Sequence, residues 1–127
     1  MKPRVLVIDD DRRARSIVER TLQRAGYHVL SAINGVEGMR LWRNTRPDLV
    51  ITEIIMPEKD GIETMMEIRK LEPAAKVLAM TGYLQRGKVN FLEIVRSLGA
   101  DGVLAKPFRA DELLAEVGAC LDLPAVA

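Results

Sequence analysis

The chain has 127 residues, 48% of them hydrophobic and 29% charged, enough for one domain with its own core and too few for a second beside it. Its 19 Lys+Arg nearly balance 18 Asp+Glu, which excludes bulk-charge attraction to nucleic acid or a membrane surface. The single cysteine, Cys120, has no internal disulfide partner and sits in an apolar stretch, as expected of a buried structural thiol in a reducing cytoplasm.

In chain order, "MKPRVLVIDD" meets acid after four apolar residues, too short a run for a signal-peptide core, and no stretch approaches the roughly 18 apolar residues of a membrane span. A soluble, cytoplasmic protein without direct membrane or nucleic-acid partners is expected. "VLVI" at 5–8 is a first strand, and a helix over 11–25 follows with Ile17, Val18, Leu22 and Ala25 on one face. "YHVLSA" at 27–32 mixes polar residues into its run and suits an edge strand; a helix at 35–44 comes next. "LVIT" at 49–52, a helix at 61–71, "KVLAM" at 76–80, a helix at about 88–98, "GVLA" at 102–105 and a helix at 110–122 complete the alternation. Apart from 27–32, the runs are apolar on both faces and suit central strands of a parallel sheet covered on each side. Gly26 and Gly99 lie just past helix ends, and Pro47, Pro57, Pro73 and Pro107 lie in connections. The expected fold is α/β: a (βα)5 doubly wound, five-stranded parallel sheet in a single domain, with a core over about 3–122.

Ligands of such sheets bind at the carboxyl ends of the strands, so the residues following each run matter most. They are Asp9, Asp10 and Asp11 after the first strand, Glu53 after the third, Thr81 and Gly82 after the fourth, and Lys106 and Pro107 after the fifth. Each has an ordinary structural use; Asp11, for one, suits a helix N-cap. Together, acids, a hydroxyl and an ammonium on one rim suit a hard divalent cation and a phosphoryl group.

The motifs "VLVIDDD", "PDLVITEIIMPEKDG", "VLAMTG" and "GADGVLAKPF", in that order and spacing, resemble the response-regulator receiver domains of two-component phosphorelays. The resemblance covers nearly the whole chain and implies the flavodoxin-like, CheY-like variant of the fold. It implies Mg²⁺ (or Mn²⁺) held by Asp10 directly, by Asp9 through water, by the residue at 53 and by the Ile55 carbonyl. It makes Thr81 the switch hydroxyl, Lys106 the phosphate-binding lysine and the Lys106–Pro107 bond cis. The implied partners are a sensor histidine kinase or histidine phosphotransferase, and an output protein meeting residues about 88–122; no turnover of its own is implied.

Two positions depart from the family. The phosphoacceptor aspartate is replaced by Glu53, read as a phosphomimetic substitution or a natural variant that is not efficiently phosphorylated, and the frequent switch aromatic is replaced by Val103. The stretch from Thr81 to Lys106 is also longer than in short members. Competing readings are a scaffold that retains the rim as a relic, a haloacid-dehalogenase-like phosphatase built on Asp9-x-Asp11, and a P-loop enzyme built on Gly82, Gly87 and Lys88. The phosphatase reading lacks its threonine, since Arg13 stands there; the P-loop reading lacks its hydroxyl, since Val89 stands there. His28, Met65, Met66 and a partly buried Trp42 are expected to be structural, and Arg12, Arg13 and Arg15 to form a solvated face.

Overall fold

The computed structural model describes residues 2–82, 85–86 and 89–123, the side chains of 85–86 and 89–92 excepted. Its strands and helices are β1 (Arg4–Ile8), α1 (Arg12–Arg24), β2 (His28–Ala32), α2 (Gly35–Thr45), β3 (Leu49–Glu53), α3 (Gly61–Leu71), β4 (Val77–Thr81), β5 (Gln85–Arg86), β6 (Val89–Asn90), α4 (Phe91–Ser97), β7 (Gly102–Ala105) and α5 (Ala110–Cys120). The five long strands form one parallel sheet in the order β2-β1-β3-β4-β7, while β5 and β6 pair separately as a short antiparallel ribbon.

Period-two alternation along the central strands divides the core in two. Leu6, Ile8, Val50 and Ile54 pack with Met39, Trp42, Met65, Ile68 and Val95 of α2, α3 and α4. Val5, Val7, Leu49, Ile51, Leu78 and Met80 face the other way, onto Val18 and Leu22 of α1 and Leu113, Val117 and Cys120 of α5. Helices start where a short polar side chain replaces missing intrahelical acceptors. Asp11 accepts from the amides of Arg13 and Ala14, Asn34 from that of Glu37, and Asp60 from that of Glu63. Past the helices, Gly26 and Gly99 adopt positive φ of 96° and 113°.

The structure corrects three expectations. The fourth helix begins at Phe91 rather than about 88, because Val89 and Asn90 pair with Arg86 and Gln85. The "GVLA" strand is not central: among the described residues β7 pairs only with β4 and closes the sheet edge, its apolar character explained by cover from α4 and α5 and by half-buried Val103 and Ala105. Trp42, expected to be partly buried, is 2% exposed in the α2 core, with the Arg46 guanidinium 4.1 Å above its ring. Of the P-loop-like residues, Gly87 and Lys88 lie outside the described residues. Among the described residues no helix is long and apolar enough to cross a membrane.

Candidate functional site

Parallel register brings the carboxyl ends of β1, β3, β4 and β7 to one rim: Ile8 pairs with Thr52, Glu53 with Met80, and Thr81 with Ala105. The next residues out, Asp9 and Lys106, are carried on main-chain hydrogen bonds. The Asp9 amide donates to the Ala32 carbonyl at 3.1 Å, and the Lys106 amide to the Thr81 carbonyl at 2.9 Å. The Lys106–Pro107 peptide is cis, as the family resemblance implies.

Lys106 stands at the centre of the charges. Its Nζ lies 2.8 Å from Asp9 Oδ2 and 2.8 Å from Glu53 Oε1. Both acids are buried, Asp9 at 0% and Glu53 at 5% exposure. The remaining oxygens meet main-chain amides: Asp9 Oδ1 accepts from Asp11 at 2.9 Å, and Glu53 Oε2 from Ile54 at 2.6 Å and Ile55 at 3.3 Å. Burial raises Asp9 above the ordinary carboxylate value, and the hydrogen bonds from Lys106 and the Asp11 amide oppose that shift without cancelling it. Burial works against the Lys106 ammonium, but its hydrogen bonds to Asp9 and Glu53 outweigh it and hold the lysine above its ordinary value.

The sequence-derived residues thus divide. Asp9, Glu53 and Lys106 form one ion-paired group, with Thr81 fully buried at the end of β4 beside it in the sheet. Asp10 is exposed, Asp11 is spent on capping α1, and Ile55 is 43% exposed with its amide turned to Glu53. Val103 is half-buried on β7 and packs against the α2–α4 side of the core.

Oxygen donors from Asp9 and Asp10 have the hardness that Mg²⁺ or Mn²⁺ requires, and Mg²⁺ commonly binds proteins through one or two carboxylates while keeping its waters. Both oxygens of Glu53 are already engaged, and among the described residues no three acidic, histidine or cysteine side chains cluster as a metal cage.

Two contributors escaped the sequence reading. Arg15, expected on a solvated face, turns inward: its Nη1 donates to the Asp9 carbonyl at 2.8 Å, and its Nε lies 3.7 Å from Glu19. The Arg-x-x-x-Glu spacing was a signal for the second contact, but none existed for the first. The amides of Ile54 and Ile55 are main chain, and only the fold aims them at a carboxylate.

The family model of the response regulator receiver domain matches residues 5–118. Response regulator MprA of Mycobacterium sp. (strain KMS) is 39% identical over 121 residues, covering 95% of this chain and 51% of its own, and MprA of Mycobacterium tuberculosis (strain CDC 1551 / Oshkosh) is 36% identical with the same coverage. The chain therefore spans about half the length of these curated relatives. Among solved structures, a CheY-like receiver domain protein from Methanospirillum hungatei superposes with a TM-score of 0.85 at 28% identity, covering 96% of this chain and 95% of that one. The chemotaxis protein CheY4 of Vibrio cholerae gives 0.82 at 30% identity, covering 92% and 97%. On a match that takes in the whole five-stranded sheet apart from the first residue of β1, this chain belongs to the response regulator receiver domain family.

Proposed function

We propose that this receiver domain holds a standing negative charge at the position where its family accepts phosphate, is not efficiently phosphorylated, and signals through protein–protein contacts. The observation behind the reading is the 2.8 Å pair between Glu53 Oε1 and Lys106 Nζ: the ammonium that would meet a phosphoryl oxygen already holds a carboxylate. Glutamate reaches about 1.5 Å further than aspartate, one C–C bond. An in-line attack on a phosphoryl donor depends on positioning, and a displacement of about 1 Å costs on the order of 10²-fold in rate. As a phosphate mimic Glu53 is incomplete, with one charge where a phosphoryl group brings about two, and two acceptor oxygens where it brings three.

Asp9 and Asp10 would hold a divalent cation, which when bound offsets negative charge on an incoming phosphoryl group. Thr81 and Lys106 would receive phosphoryl oxygens, and Arg15 and the Asp11 amide keep the acidic turn in place. In this reading the upstream partner is a sensor histidine kinase or histidine phosphotransferase, and the output partner meets residues about 88–122. The chain is a signalling module without turnover of its own, in the cytoplasm.

The test is intact-mass measurement after incubation with acetyl phosphate and Mg²⁺. The unaltered chain should stay free of adduct and Glu53→Asp should gain one phosphate. A stoichiometric adduct mapped to Glu53 overturns the reading.

A further inference from the structure

We infer that the outer face of α3 is a docking surface for a second copy of this chain, the two α3 helices lying antiparallel across a twofold axis beside Met66. The surface holds none of the strand-end residues and is independent of the charge at Glu53.

Gly61, Thr64, Met65 and Ile68 bury one side of α3, which leaves Glu63, Met66 and Lys70 as a row on the opposite side, at i, i+3 and i+7. All three are exposed, Met66 at 54%. The other charged side chains of the helix are spent within the domain: Glu67 pairs with Arg43 at 2.5 Å and with Lys59, and Arg69 Nη2 meets Asp101 Oδ2 and the Gly99 carbonyl, each at 2.5 Å. Among the described residues, Glu63 and Lys70 have no ion pair. The clamps fix α3 to α2 through Glu67 and to the segment before β7 through Arg69, so the outer row sits on a held element and little freedom is lost on docking. With a rise of about 1.5 Å per residue, Glu63 and Lys70 each lie about 5 Å along the axis from a point between Met66 and Glu67. Turning a second helix by half a revolution about that point sets each Glu63 against the other copy's Lys70 and brings the two Met66 side chains together at the centre. The row is thus complementary to itself, as an isologous contact requires. A parallel pair would instead oppose Glu63 to Glu63 and Lys70 to Lys70, which like-charge repulsion disfavours. One helix face is at the low end of interface sizes, so the dimer is weak and reversible.

The experiment is sedimentation velocity over a protein-concentration series reaching the millimolar range, on the unaltered chain, Glu63→Lys, Lys70→Glu and an equimolar mixture of the two variants. The unaltered chain should self-associate reversibly, and less in high salt. Each variant alone opposes like charges at both ends of the row and should associate about tenfold more weakly, since exposed pairs are individually small but two are inverted at once. In the mixture the cationic row of one variant meets the acidic row of the other, so association should return to within about threefold of the unaltered chain. That recovery also excludes misfolding as the cause of either variant's weakness. A chain that stays monomeric throughout the series overturns the proposal, as do variants that associate like the unaltered chain or a mixture that associates no better than its components.

Discussion

Gly61 stands so close behind Glu53 that a β-carbon on residue 61 would lie 2.1 Å from the Glu53 carbonyl oxygen and 2.8 Å from the Ile54 Cα. The contact is backbone against backbone, reinforced by the Gly61 amide donating to the Ile54 carbonyl at 2.9 Å, so no side-chain rotation relieves it. It seats the start of α3 directly against the loop whose amides hold Glu53.

Gly61→Ala is therefore expected to destabilise the domain by about 3 kcal/mol, toward the upper end of overpacking costs. Urea unfolding followed by the emission of Trp42, the chain's one tryptophan and a core residue, measures it. An alanine variant within about 0.5 kcal/mol of the unaltered chain, the usual scatter of surface changes, shows the contact to be relaxed in solution.

The affinity of an output partner should rank Glu53 above Glu53→Ala by no more than roughly fivefold, because one ion pair at a partly solvated rim biases a two-state protein by about 1 kcal/mol. Half-buried Val103, aliphatic where the family resemblance leads one to expect a switch aromatic, gives a further reason for a small bias. The comparison includes Glu53→Asp with and without a beryllofluoride phosphate mimic. If Glu53 binds no better than Glu53→Ala, the residue silences the site rather than mimicking phosphate, and the scaffold reading gains.

Asp101 ties three segments together: its Oδ2 accepts from Arg69 Nη2 of α3 at 2.5 Å and from the Val77 amide opening β4 at 2.8 Å. Asp101→Ala leaves a part-buried amide and a guanidinium without that acceptor, at an expected cost of about 1–3 kcal/mol in the same urea assay. Asp101→Asn, which keeps an acceptor, should recover part of the loss.

Burial, seconded by the nearby charges of Asp101 and Glu116, pushes the Cys120 thiol from an ordinary 9.0 up to about 11. The folded state thus keeps a proton that the unfolded chain releases, so this contribution is level below pH 9.0 and stability falls as pH rises from there toward about 11. The total loss is on the order of 1–3 kcal/mol. Cys120→Ala should flatten the decline over that window, whatever its effect at neutral pH. In native protein the thiol should react slowly with an alkylating reagent below pH 9.0, at a rate that follows global unfolding.

Much of this protein was legible in its sequence because both relevant signals are local. Apolar runs of four to five residues alternating with helical-period segments dictate strands and helices, and parallel topology then obliges the residues after each run to share a rim. Hence Asp9, Glu53, Thr81 and Lys106 could be gathered before any coordinates. That Lys106 also pairs with Asp9 was decided by tertiary structure alone. A carboxylate's partner depends on distances of a few tenths of an ångström between segments up to 97 residues apart, as for Lys106 and Asp9, and composition and spacing carry no such information. The same holds for Arg15, whose inward turn depends on where the Asp9 carbonyl lies, and for the Ile54 and Ile55 amides, which every residue but proline possesses and only the bend after β3 aims at Glu53. Edge or centre was likewise beyond the sequence for β7, because helices on both faces make an edge strand as apolar as a central one, and only the pairing order separates them.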